Sequence, residues 1–266
     1  MLNNLRSSKE FNELAQLISD KAQGRNIVYA PAYGNWGDAL IHKGVQQFLD
    51  HFKFKYTTIE RPKIDAIRET LAPTGIKLED SVLLNCGGGS WCKNFHGTRD
   101  FVTRNHGIFS ETIVMPSTYE LDAVPSTANN ISYIARDQEN SLQSIPSAQF
   151  CHDMAFFIEL PKPLDKGAEA PIGYFMREDR ERSGSAGSFK SSFDISLLGN
   201  QRSKITPFFQ ILNNYKEIVT DRMHVAIAGA MLGKEVKLYS SDYFKAPAVY
   251  RTSMLNNYSN VELVEW

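Results

Sequence analysis

The chain has too little cysteine for a disulfide framework: Cys86, Cys92 and Cys151 are the only three in 266 residues. They are an odd number in unrelated contexts, and Cys86 with Cys92 lacks the spacing of a zinc knuckle, so free thiols are expected. An excess of either charge is also lacking. Lys plus Arg number 29 against 30 for Asp plus Glu, which excludes a global attraction to nucleic acid or anionic membrane and leaves only a local patch for either. No apolar run approaches the roughly 20 residues that span a bilayer, and MLNNLRSSKEFNELAQLISD reads as an amphipathic helix rather than a signal peptide. The expectation is a cytoplasmic protein whose membrane contact, where it has any, is peripheral, at the inner face. His42, His51, His96, His106 and His152 are scattered with no pair at i, i+4, so no structural metal is expected.

What is present is an alternation of strand and helix patterns. RNIVYA reads as a strand, PAYGNWG as a loop, and DALIHKGVQQFLDHF as a helix with Leu40, Ile41, Val45, Phe48 and Leu49 on its apolar face. KFKYTTI, SVLLNCGGGSW, ETIVMPST, ISYIA and AQFCHDMAFFI supply further strands. ELPKPLDKGAEAP, rich in Pro and charge and without periodicity, reads as a linker. The boundary is placed near Asp165, giving domains 1–164 and 165–266. Beyond it, IGYFMRED is a strand ending in charges and ERSGSAGSFKSS a Gly/Ser loop whose span Ser183–Ser192 is expected to be a mobile flap. ITPFFQILNNY is a helix, and YKEIVT, HVAIAGAML and EVKLY form a βαβ unit with Gly233 as the helix C-cap. Short connections between alternating elements predict parallel sheets covered by helices, in two Rossmann-like halves facing a cleft.

The richest stretch is Thr220, Asp221, Arg222, Met223, His224, at the carboxyl end of a strand and the start of a helix. Open α/β sheets place ligands there, and the helix N-terminus favours an anion. Arg222 could grip carboxylate or phosphate with two parallel hydrogen bonds, and His224 could carry a proton near neutral pH. The alternative is that Asp221 only caps the helix, with Arg222 paired to it on the surface and His224 packed on a loop.

Gly34, Asn35, Trp36, Gly37 and Asp38 form a second tight turn before a helix, where Asp38 either caps the helix or faces the cleft. Gly87, Gly88 and Gly89 fit neither a dinucleotide fingerprint nor a Walker loop and read as a close-packing turn. Arg177 and Asp179 follow a strand directly. They either reach the same cleft, where two arginines suit a doubly anionic donor, or belong to a charged surface loop. Tyr33, Trp36, Trp91 and Phe95 could stack on a sugar, although core packing is the commoner fate of such residues.

Taken in order, GNWGDALI, the GGG turn, ARDQEN, HDMAFF, MRED and TDRMHVAIAGAMLGKEV resemble the polysaccharide pyruvyl transferase family over roughly residues 26 to 245. The chain departs from that family in its short C-terminal half and in having Pro116, Ser117 and Thr118 where relatives carry a glutamine-containing turn. The resemblance implies a GT-B-like fold with a reduced C-terminal domain on the donor side and the N-terminal domain on the acceptor side. It implies transfer of the enolpyruvyl unit of phosphoenolpyruvate to a saccharide, free or lipid-linked, with closure to a pyruvate ketal. His224 then serves as acid and Asp38 as base. Arg222, Arg177, Asn35, Asp179 and Asp221 contact substrate, and no cofactor or metal is required. The rivals are a glycosyltransferase using a nucleotide sugar and a non-catalytic anion-binding homologue.

Overall fold

The structure is a computed structural model that describes residues 5–74, 78–125, 129–164, 170–182, 189, 191–240 and 243–265. Asp165, the expected boundary, and most of Ser183–Ser192, the expected flap, lie outside the described residues. The chain is α/β with two sheets, both made of parallel strands.

Helix α1 (Lys9–Ala22) buries Phe11, Leu14, Ala15, Ile18 and Ala22, the one-sided stripe expected from its pattern. It leads into β1 (Asn26–Ala30), α2 (Trp36–His51), β2 (Tyr56–Thr58), α3 (Arg61–Leu71) and β3 (Leu78–Asn85). Next come β4 (Gly88–Trp91), α4 (Gly97–Asn105), β5 (Phe109–Tyr119), β6 (Ile131–Ala135), α5 (Asn140–Ser144) and β7 (Gln149–Phe150). These strands form one sheet in the order β2-β1-β3-β5-β6-β7, with β4 beside β5. Its core packs Val28, Leu83, Val114 and Ala135 with Trp91, Tyr119 and Tyr133. The three aromatic rings meet edge to face at centroid separations of 5.4 to 5.9 Å, the arrangement their ring quadrupoles favour. On α2, the five residues placed on the apolar face are all buried.

The second sheet, in the order β11-β10-β9-β8, uses β8 (Ala170–Phe175), β9 (Tyr215–Thr220), β10 (Glu235–Tyr239) and β11 (Val261–Val264). Between them lie α6 (Thr206–Asn213), α7 (Met223–Met231) and α8 (Lys245–Val249). Helix α7 is buried along nearly its whole length. It ends where Gly233 takes φ 72°, and Lys234 N–H bonds back to Gly229 O at 3.0 Å, a glycine stop of the expected kind.

Three readings need correction. The triple glycine is no loop throughout, because Gly88 begins β4; Gly87 is a close-packing turn, since a methyl there would lie 2.1 Å from Pro116 O. AQFCHDMAFFI is a strand only at Gln149–Phe150. The buried Asp153 carboxylate turns to Arg136 at 2.7 Å, and Met154–Phe157 coils into a 3-10 turn that packs on α7. The compact units also differ from the expected domains. One comprises residues 7–32 and 45–153, the other 33–44 and 154–266 with Leu5 and Arg6. Residues 33–44 join the second unit because the Trp36 indole donates to Lys204 O at 3.0 Å and meets the Phe208 ring edge-on at 5.4 Å. Cys86, Cys92 and Cys151 are buried free thiols. Among the described residues no helix is long and apolar enough to cross a membrane.

Candidate active site

The second unit gathers every polar residue singled out for substrate contact or catalysis. Its foundation is the carboxyl end of β8 and β9. Thr220 Oγ1 donates to Phe175 O at 2.6 Å and accepts from Arg222 N–H at 2.9 Å, which fixes the turn from β9 into α7. Asp221 follows with its side chain fully buried. Its Oδ1 accepts the Arg177 backbone N–H at 2.7 Å, while Oδ2 is buried and has no hydrogen-bond partner among the described residues. Burial pushes the carboxyl up to about 6, against the opposing pull of the Arg177 N–H and of the Arg177 and Arg222 charges.

Arg222 stands at the N-cap of α7 but supplies no side-chain cap. Its guanidinium turns to Asp194, with Nε 3.0 Å from Oδ1 and Nη2 on Oδ2, and to Asp179, with Nη1 2.8 Å from Oδ2. Burial works against the guanidinium charge, and the Asp194 and Asp179 carboxylates outweigh it. Arg177 grips Asp179 through Nε and Nη2 at 3.0 and 3.1 Å and meets Glu181 at 2.7 Å. Lys245 Nζ meets the other oxygen of Glu181 at 2.6 Å. Asp179 is held below the usual carboxylate range: burial raises it, but the Arg177 hydrogen bonds and the Arg177 and Arg222 charges prevail.

The result is an ionic cluster in which Arg222, Lys245, Glu181, Asp194 and Asp221 are buried and Arg177 and Asp179 half-buried. Both arginines are engaged by protein carboxylates, a pairing the sequence did not suggest. Nor is Asp221 the surface partner of Arg222. Glu181, Asp194 and Lys245 escaped the sequence reading. None of the three had a usable signal: Glu181 is four residues after Arg177 but in a turn rather than a helix, where that spacing predicts no pairing, and Asp194 and Lys245 sit in patternless segments.

The Asn35 turn is a capping box. Asn35 Oδ1 accepts Gly37 N–H at 2.8 Å and Asp38 Oδ2 accepts Asn35 N–H at 2.8 Å. Asp38 thus holds the helix start, the capping alternative of the sequence reading. The start of α2 lies against the start of α7: a methyl on Gly37 would stand 2.6 Å from His224 Nδ1. Glycine at 37 is what lets the half-buried imidazole fit there. The cluster, the capping box and His224 form one site, with the positive ends of two helix dipoles side by side.

Of the aromatic residues, Trp36 and Trp91 are anchored in the cores of their own units, whereas Tyr33 and Phe95 are exposed.

No protein-family model and no curated protein sequence matches the chain. Among solved structures, a functionally uncharacterised protein of Klebsiella pneumoniae superposes with a TM-score of 0.77 at 24% identity, covering 97% of this chain and 99% of its own. The two chains share a fold over nearly their whole length. The S. aureus MnaA–UDP complex aligns with a TM-score of 0.42 at 10% identity, over 85% of this chain and 86% of its own.

Proposed function

We propose that the protein is a transferase that uses phosphoenolpyruvate to build a pyruvate ketal on a saccharide, on a GT-B-like pair of Rossmann-like units. The observation that carries this reading is the contact between the Gly37 turn and His224. It joins the two segments on which the resemblance to pyruvyl transferases chiefly rests, although they lie far apart in the chain. An anionic donor is favoured beside two helix N-termini, and an imidazole there is placed to move a proton.

In this scheme His224 gives its proton to the methylene carbon of phosphoenolpyruvate, creating an oxocarbenium-like centre that an acceptor hydroxyl attacks. The neutral imidazole then takes the hydroxyl proton. Inorganic phosphate leaves with its bonding pair, and a second hydroxyl adds to close the ketal, releasing one more proton. His224 alternates between acid and base, so Asp38 is left to its capping role. Arg177 and Arg222 act through the cluster, setting the charge behind the donor.

The test is calorimetric titration with phosphoenolpyruvate and, separately, with UDP-sugars, followed by phosphate release under saturating acceptor. His224→Gln is expected to bind phosphoenolpyruvate with a modest loss and to lose most of kcat. Heat from UDP-sugars alone, or near-normal turnover in the variant, defeats the reading.

A further inference from the structure

Phe193, Leu197 and Leu198 are exposed by 37%, 56% and 62%, and the two leucines are adjacent on the 3-10 turn Ile195–Leu198. Single exposed leucines are ordinary on soluble proteins, but this pair stands on a turn held firmly at both ends. At one end, Asp194 accepts Ser196 N–H at 3.1 Å and Glu178 N–H at 3.0 Å while it binds Arg222. At the other, Gln201 N–H reaches Gly34 O at 3.3 Å, Asn200 bridges to Asn35, and Lys204 O receives the Trp36 indole. The leucines are therefore presented outward by a scaffold with little freedom to fold them in.

Asp194 is taken up by Arg222, and the exposed Glu178 lies beside it, but the charges that follow the leucines along the chain have one sign. Between Asp194 and Glu217 the chain has no carboxylate side chain, but it has Arg202, Lys204 and Lys216. Arg202 and Lys204 are exposed within a few residues of the leucines. Adjacent apolar side chains flanked by cations are the chemistry of a segment that dips into the headgroup layer of an anionic bilayer. The balanced charge of the whole chain leaves such a local patch as the only electrostatic route to a membrane.

We propose that the turn Phe193–Lys204 is an interfacial contact with an anionic lipid surface, in which Leu197 and Leu198 insert and Arg202 and Lys204 meet the headgroups. Both ends of the turn stand on the candidate active site, so the contact would hold that site beside the bilayer. The inference goes beyond the proposed chemistry and does not depend on it.

Sedimentation with vesicles of phosphatidylcholine, with and without phosphatidylglycerol, tests the contact in the absence of any donor. The wild-type chain is expected to pellet with the phosphatidylglycerol vesicles, less at higher salt, and weakly with phosphatidylcholine alone. Leu197→Asp with Leu198→Asp is expected to lower vesicle affinity by roughly an order of magnitude. Arg202→Glu with Lys204→Glu is expected to abolish the preference for anionic lipid. Circular dichroism checks that these surface variants stay folded, and His224→Gln is expected to bind vesicles as the wild type does, which separates this contact from the transferase reading. Failure of the wild type to pellet with anionic vesicles overturns the proposal, as does undiminished binding by the double leucine variant. A wild-type dimer that the leucine variant converts to monomer also overturns it, because a second copy then covers the patch.

Discussion

Burial makes the proton on Asp221 a variable near physiological pH. With Asp221 neutral, Arg177, Arg222 and Lys245 face Asp179, Glu181 and Asp194 in balance; with it ionised, the cluster carries one excess negative charge beside the proposed donor. Its folded value of about 6 lies above the ordinary aspartate value of 3.8, so the folded state binds this proton more tightly than the unfolded chain does. The associated stability is fully present below about pH 4 and is lost as pH rises through about 6, amounting to at most ~3 kcal/mol at 1.36 kcal/mol per unit. Asp221→Asn is expected to remove that part of the pH slope in thermal melts between pH 4 and 7. It is also expected to flatten the wild type's loss of phosphoenolpyruvate affinity over the same range. Parallel pH profiles of Tm and calorimetric Kd check both outcomes.

Arg136 and Asp153 show a different use of buried charge. Their side chains are nearly inaccessible and meet at 2.7 Å, and Arg136 Nε also donates to Thr118 Oγ1 at 2.8 Å. Asp153→Ala leaves the guanidinium buried with its counter-ion gone and is expected to cost about 3–5 kcal/mol, read as a lower urea midpoint. The ARDQEN and HDMAFF segments, which supported the resemblance, thus meet in an ion pair whose evident role is structural.

At the scale of the element, the two helix starts explain how much of the site could be read in advance. The α7 start was legible because an apolar strand, a polar run and an Ala-rich helix follow one another, and the structure places β9 and β10 where that pattern put them. The Asn35 turn was legible as a turn, but its two roles, cap or cleft, could be separated only by hydrogen-bond geometry. The ionic cluster was not legible. Asp194 caps the start of a 3-10 turn and Lys245 stands at the start of α8, and neither has a periodicity that points at Arg222 or Glu181. The capping assignment makes Asp38 testable: Asp38→Asn keeps an acceptor for Asn35 N–H and is expected to retain most of kcat, whereas Asp38→Ala is expected to cost about 1 kcal/mol in stability. Loss of turnover in Asp38→Asn with an unchanged Tm would restore Asp38 as a base.

For the whole molecule, strand-helix alternation was enough to give two parallel sheets, because parallel neighbours need a crossover between them and helices supply it. The composition of the second unit was hidden, since nothing in local sequence says that residues 33–44 pack with residues 154–266. That packing rests on Trp36, whose indole bonds Lys204 O and lies on Phe208, and on Gly199, where a methyl would stand 2.7 Å from the indole. Gly44 is fitted as tightly, since a methyl there would lie 1.9 Å from Met154 O. A fragment spanning residues 154–266 therefore lacks a buried tryptophan and the helix start that faces His224. It is expected to be expanded and poorly protected in hydrogen exchange when produced alone. Supplying residues 31–46 as a separate peptide is expected to raise protection in α6 and α7. If the fragment alone shows native-like protection, the unit is continuous in sequence after all, and the Asn35 turn is an accessory to the site rather than part of its fold.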